Sequence, residues 1–190
     1  ATAGADITLG ANGAVNSLSG GARTISTGLG PGDITLVGTL DGAETLSLKA
    51  GTGDIALAGD VGGSTALTSL NVVDGNDLAL SGVTTAGTQT YTPSGIITLG
   101  GMLTTAGSAI TLNRAIELSG AAGIDTTDGG ASASGTAINV SQPVTTKTGE
   151  TSSFSVDVGT SNLSLNAVAT TGAQHYTAQA ITLASDLSTE

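Results

Sequence analysis

The residues best equipped for chemistry in this chain are carboxylates that follow glycine. Asp33 and Asp54 each close a Gly-x-Gly-Asp word, at 30–33 and 51–54, and Asp77 stands behind Gly75-Asn76. A turn of this kind offers backbone and carboxylate oxygens together, which is what Ca²⁺, a hard cation, takes as ligands. The calcium-binding nonapeptide spaces its Gly and Asp differently and recurs in tandem about every nine residues. Here Asp follows Gly directly and no tandem copy adjoins it. The competing assignment is that Asp6, Asp33, Asp54 and Asp77 accept backbone hydrogen bonds at chain corners, as Asp does in turns. The corner role is the expectation. Asp33, Asp54 and Asp77 remain as calcium candidates, and no other cofactor is expected.

General acid–base chemistry would need a different grouping. Asp60, Asp74 and Asp77 lie near one another in sequence, and Asp125 and Asp128 fall in a small, polar segment at 120–135. Polysaccharide-cleaving sites cluster carboxylates with Ca²⁺ or a basic side chain over a groove. Neither set has a Lys or Arg beside it, and Arg114 is the nearest base to the second. Aromatic residues are only 2%, so stacking platforms for sugar rings are scarce. His175 is the only histidine, and spacing identifies no partners for a Ser-His-Asp or multi-His site. Ice binding would need outward Thr-x-Thr words in register on successive turns. The Thr-Thr pairs at 84–85, 104–105 and 170–171 fall at expected corners instead. No catalytic residue is therefore assigned, and the chain is expected not to be an enzyme. A carbohydrate-active β-helix enzyme is the rival class.

The elements that would position these residues are short strands. One word recurs: a polar or small residue, Ile or Leu, a small residue, then Leu or Val. Its clearest copies place Ile34 and Leu36, Ile55 and Leu57, Leu78 and Leu80, Ile97 and Leu99, Leu163 and Leu165, and Ile181 and Leu183 at alternate positions. Period-two alternation predicts a strand with one buried face. A small residue then precedes a second apolar position, and Gly38, Gly59 and Gly82 mark these points as corners, where glycine's access to positive φ would let the chain turn.

Successive words lie 21, 23 and 19 residues apart from Ile34 to Ile97, and 18 apart from Leu163 to Ile181. A period near twenty is one turn of a β-solenoid. The stretch 76–105 also resembles 162–189, with Tyr91 equivalent to Tyr176, 85 residues on, or about four such turns. Tyr91 and Tyr176 are read as corner packing residues. The expected fold is all-β: a right-handed parallel β-helix of roughly nine turns at ~4.8 Å per turn. It spans 1–190 as a single segment, with a loop excursion at 120–135 and a second at 142–153. The start lacks the basic and apolar regions of a signal peptide, and the chain is read as a fragment or processed piece of something larger.

Composition narrows the function classes. Glycine is 30 of 190 residues, Cys and Trp are absent, and charged residues are 10%. Without cysteine there is no disulfide framework and no thiolate metal site. Net charge is −11 with only Arg23, Lys49, Arg114 and Lys147 as strong bases, which excludes phosphate-driven nucleic-acid binding. No apolar run is long enough for a membrane-spanning helix.

The words GTGDIALAGDVGGSTALTSLNV and VTTAGTQTYTPSGIITLGG resemble the repeats of very large secreted bacterial β-solenoid proteins, the filamentous-haemagglutinin-like adhesins and autotransporter passengers. The resemblance covers most of the chain and is weakest over 120–135. It implies a right-handed parallel β-helix, an extracellular or bacterial cell-surface location, and a stalk-like or adhesive role. The partners it implies are flanking repeats of the same polypeptide and a host or neighbouring cell surface. Unpaired strand edges at either end of such a rod would favour end-to-end self-association, making a filament subunit the second structural reading.

Overall fold

The computed structural model describes residues 4–190. Among them are 24 strands and no helix, and every strand pairing is parallel. The strands follow one another around three faces and climb by one turn each time they return, giving a β-solenoid of about eight turns.

The first face is one nine-stranded sheet from Ile7–Leu9 to Leu187–Thr189. The second begins with the pair Val15–Ser17 and Thr39–Asp41 and passes through a single bridge at Val61. It continues as a five-stranded sheet from Val83–Thr85 to Gln174–Thr177. The third runs from Arg23–Ser26 to Ile110–Leu112, breaks, and resumes over Ile138–Val140, Asn162–Leu165 and Ala180–Leu183.

The recurrent word forms strands because its alternation matches the pleat. Ile34 and Leu36 pair with Ile55 and Leu57, these with Leu78 and Leu80, and these with Ile97 and Leu99. All eight side chains are buried. Stacking at ~4.8 Å puts like aliphatic side chains in van der Waals contact up the rod. Leu163 and Leu165 are also buried, under Ile181 and Leu183, which are 45% and 52% exposed in the last turn.

The corner glycines stand where expected, between the first and second faces, for a different reason. Gly38 and Gly59 do not have positive φ. A Cβ on Gly38 would press into the Ala14 carbonyl oxygen one turn below, and one on Gly59 into the Gly38 carbonyl. Close approach of stacked backbones therefore requires them, not left-handed geometry. At Gly82 the obstruction is only the Asp60 side chain.

Tyr91 and Tyr176 are not corner residues. They lie inside the strands Gln89–Tyr91 and Gln174–Thr177 with their side chains turned inward. The first excursion is shorter than expected. Ala121–Asp125 is a second-face strand, so the irregular segment is 126–137. The segment 142–153 contains the first-face strand Val144–Thr146, leaving a corner loop at 147–152.

The 85-residue duplication spans eleven strands, not the twelve of four full turns. Its second copy is therefore rotated by one face: Gln89–Tyr91 lies on the third face and Gln174–Thr177 on the second.

Interior columns predict a steep dependence of stability on position. Leu99→Ala, at a fully buried site, should cost ~2–5 kcal/mol. Ile181→Ala in the last turn should cost less than about 1 kcal/mol. Urea unfolding followed by circular dichroism measures both, and equal losses would contradict a continuous interior ladder.

Candidate functional site

The carboxylates singled out from the sequence form an orderly column at the corner leading onto the first face. Asp6 Oδ1 accepts from the Asp33 backbone N–H at 2.9 Å, Asp33 Oδ1 from Asp54 N–H at 2.8 Å, and Asp54 Oδ1 from Asp77 N–H at 3.0 Å. Asp77 Oδ1 then accepts from Ile96 N–H at 2.9 Å. Asn76 adds a donor to Asp54 Oδ1. Each side chain thus caps the amide one turn further on, not its own turn. Asp60 does the same for Gly82 N–H at the opposite corner, and Asp41 for Ser64 and Thr65. These amides lie where the ladder leaves a corner donor without a strand partner.

The calcium candidates Asp33, Asp54 and Asp77 therefore each commit Oδ1 to an amide. No group of three or more His, Asp or Glu side chains among the described residues is arranged to hold a metal ion. Their negative charges repeat up one edge.

The possible acid–base sets do not converge. Asp60 caps the corner between first and second faces, whereas Asp74 ends the third-face strand Ser69–Asp74 and accepts from Gly51 N–H. Asp77 begins the next first-face turn. Asp125 accepts through Oδ1 from the Thr127 N–H and hydroxyl, and through Oδ2 from Gly129 N–H, folding the excursion's first turn. Asp128 follows at φ 54°, a left-handed conformation that Asp tolerates. A shallow cleft of about 510 Å³ has Asp60, Gly82, Gly100, Gly101 and Met102 in its lining.

His175 stands on the outer second face in register with Ser155, and Asp157 shares that face two residues beyond Ser155. The Ser155 hydroxyl is turned to the Met102 sulfur at 3.8 Å, and Asp157 Oδ1 accepts from Gly159 N–H. Both partners are directed away from the imidazole.

The most developed polar cluster was missed in the sequence, although the duplication carries it. Gln89 is fully buried. Its amide donates to the Val83 carbonyl at 3.2 Å, to Thr85 Oγ1 at 3.3 Å and to the Thr104 carbonyl of the next turn at 2.8 Å. Its Oε1 accepts from the Tyr91 hydroxyl at 2.9 Å. Thr85 donates onward to the Gly87 carbonyl. One glutamine thereby ties two faces and two turns together.

The second copy repeats every link. Gln174 donates to Val168 and Ser188 carbonyls and to Thr170 Oγ1, and accepts from Tyr176. The shared pattern Val-x-Thr-x-x-x-Gln-x-Tyr was legible in both copies, and it is an interior brace rather than a ligand site. Burial pushes the Tyr91 phenol well above its ordinary pKa, and half-burial raises Tyr176 to about 12. Phe154 meets Tyr176 edge-on at 6.4 Å.

The outward column of the third face is neutral. Thr24, Ser47, Asn71, Thr90 and Thr111 follow in register, and Asn139, Ser164 and Thr182 continue above the break. This mixed column lacks the Thr-x-Thr rows that ice binding needs. At the break a cleft of about 330 Å³ lies between Ile110–Leu112 and Asn139, and Asn113 Oδ1 is buried beside it without a partner.

Fold and side-chain arrangement define a parallel β-solenoid braced by inward-facing Gln–Tyr pairs, one fully and one partly buried, and capped by inter-turn aspartates. No protein-family model matches the chain, and neither a curated protein nor a solved structure matches it.

Two predictions follow from this geometry. Asp54→Asn keeps an acceptor for the Asp77 amide and removes one charge from a like-charged column, so it should leave stability unchanged or raised. Asp54→Ala should cost ~0.5–2 kcal/mol, as loss of a backbone cap does. Thermal melts with and without Ca²⁺ check this, and a Ca²⁺-dependent rise lost in both variants would restore the calcium assignment. The raised tyrosines make the protein less stable in alkali. Their stabilisation is complete below the unfolded phenol pKa of ~10 and is lost as pH rises through the folded value, about 12 for Tyr176. A Tyr91→Phe/Tyr176→Phe variant should lose less stability than the wild type over that window in pH-dependent urea unfolding.

Proposed function

We propose that this chain is a non-enzymatic structural and adhesive segment of an extracellular bacterial fibre or surface adhesin. It acts as a stiff rod whose side loops make contact with a host or neighbouring cell surface. The observation that carries this reading is the first face, where nine strands pair without interruption along the whole solenoid. A continuous parallel ladder resists bending and stretching because every turn is held by its neighbours. The excursion at 126–137 supports the contact role. Asp128–Ala131, Ala133 and Ser134 are exposed on it, yet it is tied to the rod by the Thr136 hydroxyl to the Gly107 carbonyl, by Thr160 N–H to the Ala133 carbonyl, and by the Ser161 hydroxyl to the Ser134 carbonyl.

The second reading is a filament subunit that stacks end to end, for which Ile181 and Leu183, exposed in the last described turn, would be the contact residues. The first turn opposes it. Asn16 and Arg23 occupy interior columns there, in register with Leu40 and Leu46, and Arg23 folds its guanidinium onto the Ser19 and Ala22 carbonyls. Inward-pointing polar groups at a sheet edge discourage further pairing.

Negative-stain electron microscopy over a concentration series tests the choice. Isolated rods about 40 Å long, from eight turns at ~4.8 Å, are expected. Long uniform fibres of one rod's width would displace the stalk reading in favour of the filament. Turnover of an acidic polysaccharide that Asp74→Ala or Asp77→Ala abolishes would overturn both.

A further inference from the structure

Asparagine precedes glycine once in this chain, at Asn12–Gly13, and aspartate precedes it at Asp41–Gly42, Asp74–Gly75 and Asp128–Gly129. Such pairs share one reaction: the glycine nitrogen attacks the side-chain carbonyl carbon of the residue before it. Glycine permits the approach because it has no Cβ in the way. The fold decides which pairs are free to react.

The aspartyl pairs are held. Asp41 Oδ1 accepts from Ser64 and Thr65 N–H, its carbonyl accepts from Leu18 N–H, and Gly42 N–H donates to the Thr65 carbonyl at 3.2 Å. Asp74 Oδ1 accepts from Gly51 N–H and its carbonyl from Ala50 N–H. At Asp128 the attacking group itself is engaged, because Gly129 N–H donates to Asp125 Oδ2 at 2.8 Å.

Asn12 and Gly13 are the central residues of the turn that leads from Ile7–Leu9 on the first face to Val15–Ser17 on the second. The turn is closed by Ala14 N–H to the Ala11 carbonyl at 2.9 Å, with Gly13 at φ 75°. Ala11, Asn12 and Gly13 are all exposed, and a Cβ on Gly13 would meet nothing within 4 Å. Among the described residues no hydrogen bond engages the Asn12 side chain, the Asn12 carbonyl or the Gly13 N–H. The peptide unit between them can rotate without any part of the fold opening first.

We propose that Asn12 is a site of spontaneous deamidation, left open by a fold that shields the aspartyl–glycine pairs. The Gly13 nitrogen gives its proton to solvent base and bonds to Asn12 Cγ. The Cγ–Nδ2 bond breaks, and Nδ2 takes a proton from water and leaves as ammonia. One water then opens the cyclic imide at either carbonyl. Opening at one restores an ordinary aspartyl linkage, and opening at the other routes the backbone through the side chain as isoaspartate. Both products carry a new carboxylate, and isoaspartate lengthens the turn by a methylene. The Ala14 carbonyl just beyond receives Thr39 N–H at 2.9 Å, and Val15–Ser17 pairs with Thr39–Asp41 in a two-stranded sheet. The isoaspartyl form therefore loosens that pairing.

The test is incubation of the whole chain, folded and in parallel unfolded in urea, from mildly acidic to mildly alkaline pH. Peptide mapping by mass spectrometry and labelling by isoaspartyl methyltransferase read the products. Asn12 should deamidate in the folded chain within about threefold of its unfolded rate, since no opening is required. Its rate should rise with pH, because the attacking nitrogen must lose its proton. The aspartyl–glycine pairs should isomerise about tenfold or more slower folded than unfolded, the factor that a hydrogen bond to a charged group supplies. Asn12→Gln, which would have to close a larger ring, should remove the labelling and leave the circular dichroism unchanged.

Folding that slows Asn12 by more than about threefold overturns the proposal, because the turn then protects the site. So does labelling of the folded chain that Asn12→Gln leaves in place, which would assign the reaction to another residue.

Discussion

Everything in this molecule depends on the parallel hydrogen-bond ladder between successive turns. Each backbone lies directly over another, so a residue's surroundings are set mainly by its equivalents above and below. Identical aliphatic positions become continuous columns. Corner glycines are needed wherever a Cβ would meet the carbonyl of the turn beneath. Amides that leave the ladder at a corner find an aspartate of the neighbouring turn. Where a column changes from aliphatic to polar, as at Gln89, the side chain is satisfied by carbonyls from two turns and a tyrosine from its own strand.

The same ladder explains why a chain almost without aromatic residues folds at all. Stacked Ile, Leu and Val side chains make a narrow core that no single turn could bury alone. In the last described turn the apolar columns carry Ile181 and Leu183, whereas in the first they carry Asn16 and Arg23. The first and last described turns are therefore chemically unlike.

Interchangeable interiors also account for the rotated duplication. The Val-x-Thr-x-x-x-Gln-x-Tyr brace works on the second and third faces because it needs only an inward strand, a corner and a carbonyl one turn up. All three faces provide these. A copy displaced by eleven strands keeps its internal contacts while its exposed residues point in a new direction.

The amino-acid sequence by itself determined the strands, their inward residues, the approximate turn length and the acidic, base-poor surface. Those features are local: Ile34 and Leu36 alternate with polar neighbours whatever lies above them. Tertiary structure decided everything that depends on which residue sits over which. It decided that Gly38 answers to the Ala14 carbonyl rather than to φ, that Asp33 caps Asp54, and that Tyr91 turns inward to Gln89 instead of packing at a corner. It put the true start of the excursion at 126, after a strand. The physical reason is that spacing along this chain varies from 19 to 28 residues between successive first-face strands. A one-dimensional period therefore cannot assign a face, and only the closed hydrogen-bond register does.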